Sequence, residues 1–558
     1  MKRYFVLAAL LWSLGAAAAV RYTNPILHQD WSDPDVCRAG DCYYMTASSF
    51  NFMPGLPVLR SRDLVNWELT GAALPYYPFE GVEHGRGVWA PAIRYHEGWF
   101  MIFVGDPDRG IFMVRAKDPS GPWEKPVWLW RGKGYIDPCP FWDDDGKAYL
   151  SHAAAGSRAG LKSMVFVAPM APDGTALLGP SRAVFDGHDT QPTIEGTKFY
   201  KRQGKYYIFC PAGGVSTGWQ TVLRADSPWG PWEDRVVMAW APGTVNGPHQ
   251  GAWVETPSGD WFLHFQDKGA YGRIVHLQPM KWGDDLWPVI GEDPDGDGVG
   301  QPVGSWEAPL PSAGGQGSGR RSGKQEGGVP AALTGPYGLT LDWQYPTEPQ
   351  ALWHFPLPDG GFRLYSVLQQ GPGTLWDCPN VLSRKFPAES FSVEALLVFR
   401  PLDGLQEDCG FGVFGNDYAV LRLRDSGSGA SLEYAVCAGA SHGGSETVRE
   451  IAVLPWSTVS CEFPYASGNV PPAKYPTARE ATLRVRLEVH PEAVQGNVPD
   501  AVCQLYWSTD GKRFTKAGEP FTARPELWTG ARFGFWCNRA RPKNDGGRLE
   551  VSGITLKF

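Results

Sequence analysis

Five residues stand at matching distances ahead of five glycines. Asp33 precedes Gly40 by 7 residues, Trp89 precedes Gly98 by 9, Asp137 precedes Gly146 by 9, Glu195 precedes Gly204 by 9 and His249 precedes Gly259 by 10. Three of the five are acids. Carboxylates gathered in one pocket suit hydrolysis of a glycosidic bond. A protonated one donates to the leaving oxygen, and an ionised one activates water or attacks the anomeric carbon. A third acid raises its neighbour's pKa by like-charge repulsion, which keeps the donor protonated near neutral pH. The three acids sit in "SDPDV", "IDPCPFW" and "PTIEGTKFY", each followed at once by Pro or Gly. Those residues limit strand pairing and let backbone approach closely. A single Asp-Pro reads as a turn. Three acids at equivalent repeat positions read as a site.

The repeat supplies the scaffold. Each glycine opens a run of aromatic and aliphatic strand residues: "AGDCYYM", "EGWFMIF", "DGKAYL", "QGKYYIF" and "SGDWFLHF", at intervals of 58, 48, 58 and 55 residues. Roughly 50 residues hold a four-stranded blade and its loops. Residues 20–305 are therefore predicted as a five-bladed β-propeller, in which equivalent positions on the innermost strands converge on a central channel. Asp143, Asp144 and Asp145 fall in a hairpin turn and read as solvated. "DPDGDG" from Asp293 begins like a calcium loop, but Gly304 stands where the twelfth-position Glu is required, so it reads as an acidic turn. Asp35 reads as a structural hydrogen-bonding group.

Beyond the repeat, residues 306–337 are a Gly/Ser-rich linker. Residues 338–558 alternate apolar and polar, as in "ATLRVRLEVH" and "YAVLRLR", which predicts a β-sandwich without a carboxylate constellation of its own. The expected fold class is all-β. A net charge of −8 and a pI near 5.8 offer no basic field for nucleic acid. Residues 1–19, "MKRYFVLAALLWSLGAAAA", have a short basic start, an apolar run and small residues, which predicts a cleaved signal peptide and a periplasmic or secreted protein free of the membrane. All ten cysteines lie beyond it, and an exported chain permits disulfides. Cys37 and Cys42 flank a short turn and are candidates for a bridge. Nothing in the cysteine spacing suggests zinc.

Several segments are familiar together. "YTNPILHQDWSDPDVCRAGDCYYMTASSF", "LRSRDLVNWELTG", "YIDPCPFWDDDGKAYL" and "IEGTKFYKRQGKYYIF" resemble glycoside hydrolase family 43, the β-xylosidases and α-L-arabinofuranosidases. "NVLSRKFPAESFSVEALLVF", "CGFGVFGNDYAVLRL" and "GARFGFW" are similar to the concanavalin-like sandwich of its xylosidase-type members. The resemblance implies an inverting hydrolase with Asp33 as general base, Asp137 as the acid that tunes pKa and orients substrate, and Glu195 as general acid. It implies that Arg273 contacts substrate hydroxyls, that Phe52 and Trp89 stack on sugar, and that His249 helps hold a water-ligated metal ion, Ca²⁺, not required for the chemistry. The expected activity is exo-acting release of terminal xylose or arabinofuranose from plant cell-wall oligosaccharide or polysaccharide. The rival expectations are the same chemistry on another sugar such as galactose, and a catalytically silent carbohydrate-binding propeller.

Overall fold

The structure, a computed structural model, describes residues 20–240, 245, 247–309, 334–335, 338–369, 373–459, 478–494 and 498–558. The leader at 1–19 and most of the linker lie outside the described residues. Among those described, no helix is long and apolar enough to cross a membrane.

The five repeats are five four-stranded antiparallel sheets, each built from consecutive strands. Their innermost strands are Asp35–Ala39, Ala92–His96, Tyr135–Trp142, Lys198–Arg202 and His249–Thr256. The next strand of each blade is packed on both faces by neighbouring blades. Trp99–Asp106, Ala148–Ala154 and Lys205–Ala212 are accordingly buried almost end to end. The ring closes without sharing a blade between the two ends of the domain. Arg21–Thr23 pairs with Ser305–Glu307, and the Trp31 amide donates to the Arg273 carbonyl at 2.9 Å. That closure brings blade 1 and its Asp33 against Arg273 of blade 5.

Asp35 ties the first two blades together. It is fully buried, and its Oδ2 accepts from the Ile93 amide at 2.6 Å and from Arg94 Nη1 at 2.7 Å. Removing one partner of such a pair leaves an uncompensated buried charge. Asp35→Ala is expected to lower stability by about 3–5 kcal/mol, read as a fall in the urea midpoint.

The second domain is a two-sheet sandwich. One sheet is centred on Phe391–Arg400, Ala478–Glu492, Asp500–Ser508 and Arg548–Lys557, and the other on Glu407–Phe414, Tyr418–Asp425, Gly429–Cys437 and Arg532–Arg539. Leu483, Val485, Leu487 and Val489, the alternating residues of "ATLRVRLEVH", are all buried in its core. The sandwich packs directly on the propeller: Met53 bridges to Tyr345, and the Arg532 guanidinium lies 4.1 Å from the Phe52 ring centre.

The expected Cys37–Cys42 bridge is a correction. The nine described cysteines are free thiols. In the hairpin Cys37 faces Tyr44 and Ala39 faces Cys42, so the two cysteines are diagonal neighbours. Diagonal Cα atoms lie about 7–8 Å apart, beyond the disulfide range.

Candidate active site

The three acids meet on one cavity of about 210 Å³ at the hub. Asp33, Asp137 and Glu195 line it together with Phe50, Trp89, His249, Gln250, Arg273 and, from the sandwich, Trp528. Local backbone explains how they point inward. Asp33, Asp137, Thr193 and Gln250 all adopt left-handed backbone at φ of 54°, 56°, 59° and 39°. Asp137 and Gln250 lie within register shifts that interrupt the pairing of their strands. Such irregularities re-aim a side chain, and left-handed non-glycine residues cost energy that the surroundings must offset.

Asp33 is clamped. Its Oδ1 accepts from Arg273 Nη1 at 2.9 Å and its Oδ2 from Ser48 Oγ at 2.5 Å. Arg273 is itself 7% exposed, with its backbone N–H donating to Asp30. Asp137 accepts from the Gly196 amide at 2.7 Å and is hydrogen-bonded by Gln250. Burial pushes its carboxyl up to about 6, and the charge of Asp33 adds to the rise. Glu195 stands highest. Burial, then the charges of Asp137 and Asp33, push it up to about 8 against the opposing pull of Arg273 and Lys162. Its side chain keeps 23% exposure, opening onto the cavity. A carboxyl held protonated at neutral pH beside two further acids is what a proton donor to a leaving group requires.

The aromatic walls differ in part from expectation. Trp89 lines the cavity, its indole N–H donating to the Gly85 carbonyl at 2.8 Å. Phe52 does not line it. A turn in which the Phe52 amide bonds to the Ser49 carbonyl, while Phe50 bridges to Val88, sends Phe50 to the hub and Phe52 toward the sandwich. Phe50 lies 6.5 Å from Trp89 and takes the place expected of Phe52. Trp528 faces Trp89 edge-on at 6.1 Å, with Arg273 at 5.7 Å from its ring.

His249 is on the cavity wall as a neutral imidazole. Burial, then Arg273, push it down to about 3. Among the described residues neither ring nitrogen has a hydrogen-bond partner, although Nε2 approaches Glu195 Oε1 to 3.4 Å. Among the described residues no three His, Cys, Asp or Glu side chains are grouped to hold an ion. The nearby guanidinium also opposes a cation. A water-ligated Ca²⁺, as the resemblance implies, would take an open imidazole nitrogen of His249 as its single protein contact. The turn at Asp293 is self-contained, its carboxylate accepting from the amides of Gly296, Asp297 and Gly298.

Known proteins place this architecture. Residues 22–288 match the glycosyl hydrolases family 43 model, and residues 336–548 match the beta xylosidase C-terminal concanavalin A-like domain. The chain carries a glycosyl hydrolase family 43 domain followed by a concanavalin A-like domain of the beta xylosidase type. It is 45% identical over 298 residues to a candidate beta-xylosidase of Xylanibacter ruminicola, covering 52% of this chain and 54% of that one. It is 34% identical over 307 residues to a non-reducing end alpha-L-arabinofuranosidase of Bacteroides ovatus, covering 51% and 56%. The matches span about half the length of these curated relatives. The fold superposes on a xylan beta-1,4-xylosidase from Bacillus halodurans with a TM-score of 0.75 at 21% identity, covering 96% of this chain and all of that one.

Proposed function

We propose that the protein is an exo-acting, inverting glycoside hydrolase that removes terminal xylose or arabinofuranose from plant cell-wall oligosaccharides or polysaccharides, after export to the periplasm or medium. The observation that supports it is one cavity in which burial and two neighbouring carboxylates raise the pKa of Glu195 while Arg273 and Ser48 fix Asp33. In this reading Glu195 gives its proton to the departing glycosidic oxygen. Asp33 takes a proton from the water that attacks the anomeric carbon. Asp137 sustains the donor's high pKa, Arg273 meets sugar hydroxyls, and Phe50, Trp89 and Trp528 wall the ring. The apolar leader supports export.

The hub is closed beneath the acids. Lys198 is fully buried, with Nζ donating to the Pro91 carbonyl at 3.3 Å. The Asp35–Arg94 pair and the Cys139 thiol, 2.9 Å from Arg94 Nη2, fill the hub below. This floor makes the cavity blind at the hub, and with Trp528 of the sandwich among its walls it supports a reading in which a chain end enters.

Proton NMR of the first anomer released from xylobiose tests the mechanism. Inversion gives α-xylose from a β-linkage; β-xylose as first product would exclude it. A panel of nitrophenyl glycosides (β-xyloside, α-arabinofuranoside, α-arabinopyranoside and β-galactoside) selects the sugar. Binding of a glycoside with no turnover on any of them would leave the silent propeller.

A further inference from the structure

We infer that His84, on the loop joining the first two blades, is a positioning residue that holds the sandwich turn carrying Trp528 in place as a wall of the sugar pocket. The kinetic consequence rests on the hydrolase reading above; the structural one does not.

His84 reaches out of the propeller and is gripped on three sides by the sandwich. Its ring lies flat on Trp376, with centroids 3.6 Å apart and planes within 10°. Nδ1 is 2.5 Å from Glu526 Oε1, and Nε2 is 3.1 Å from the Trp376 carbonyl. Glu526 is 8% exposed, so this is a contact largely removed from solvent. Two residues along the chain from Glu526 comes Trp528.

Trp528 is in a conformation that needs holding. Its φ is 70°, a left-handed backbone for a bulky residue without glycine's freedom. It is also 42% exposed, so burial does not fix it. Such strain persists only where neighbours over-determine it. On the far side of the turn, Ser32 Oγ donates to the Trp528 carbonyl at 3.4 Å and the Gly530 amide to Asp30 at 3.2 Å. On the near side the holding group is His84. Its neighbour Gly85, at φ 64°, has so little room that a Cβ would come within 2.7 Å of Leu527 and 2.9 Å of Trp528. The loop and the turn therefore interlock, with His84 as the pin. Arg532, on the sandwich side, interacts electrostatically with the same Glu526.

The test is a double-mutant cycle on aryl-glycoside hydrolysis with the full chain, using His84→Ala, Trp528→Ala and the pair, each checked by its melting temperature. His84→Ala is expected to raise KM by about 3- to 10-fold, the size of a coupled contact, with kcat changed much less. In the Trp528→Ala background the same substitution is expected to add little. Hydrogen–deuterium exchange supplies a readout independent of turnover: the amides of residues 526–531 should exchange faster in His84→Ala. Glu526→Gln, which keeps the shape of the turn, should move KM and exchange in the same direction by less. Equal KM effects of His84→Ala with and without Trp528, or unchanged exchange at 526–531, would overturn the inference. If the parent turned over no glycoside at all, the hydrolase reading would fall and the exchange result alone would decide the role of His84.

Discussion

Glu195→Gln is expected to slow hydrolysis of xylobiose by about 10²–10⁴-fold, while an aryl glycoside with an activated leaving group loses far less. The reason is the chemistry of departure. A sugar alkoxide leaves only with a proton, whereas a dinitrophenolate leaves without one. Glutamine keeps the size and hydrogen bonding of the side chain and removes only the transferable proton. A second signature comes from the pKa. Burial, with the charges of Asp137 and Asp33, holds Glu195 near 8. An acid catalyst is competent while protonated, so its contribution is complete below that value and is lost as pH rises through it. The alkaline limb of kcat/KM on xylobiose should therefore fall near pH 8 in the parent and be missing in Glu195→Gln. Equal losses on activated and unactivated substrates, or an unchanged limb, would remove Glu195 from the donor's role.

Most of this is legible in the repeat. Glycine at a hairpin followed by buried strand residues is a local signal, and it recurs five times because each blade needs the same turn and the same doubly covered strand. Asp33, Asp137 and Glu195 could be found by counting back from that glycine, since strand length fixes the offset. Two lining positions escape this count for local backbone reasons. On blade 5 the register shift between His249 and Gly251 makes Gln250 left-handed and brings it onto the cavity beside His249, a lining residue that the count does not name. On blade 1 the resemblance implies Phe52, and a turn at residues 49–52 puts Phe50 on the cavity instead. Both are one- or two-residue effects that composition and periodicity do not encode. Trp528 was out of reach for a different reason. It is 495 residues from Asp33 along the chain, on another domain, and enters the pocket through an interlock whose parts (His84, Gly85, Glu526) carry no shared motif. A pairing of two domains leaves no periodic trace in either.

Asp33→Asn is expected to slow xylobiose and activated aryl glycosides alike, by about 10²–10⁴-fold. The base acts on the attacking water, and every substrate needs that water whatever its leaving group. Independence from the leaving group separates this loss from that of Glu195→Gln. The substitution is nearly isosteric, so Arg273 and Ser48 keep a polar partner, and Phe50, Trp89 and Trp528 still wall the sugar. KM should change little compared with kcat. The residual activity should also shift in pH. The charge of Asp33 helps raise Glu195, while Arg273 lowers it. Removing the first and freeing the second both favour the ionised donor, so the alkaline limb moves below pH 8. The shift is partial, because burial is the largest cause of the raised value and is untouched. Steady-state kinetics across pH with xylobiose and a dinitrophenyl xyloside read both effects. A variant that stayed fast on the activated substrate would place Asp33 on the leaving-group side, and one whose limb moved upward would contradict the charge coupling that links the three acids.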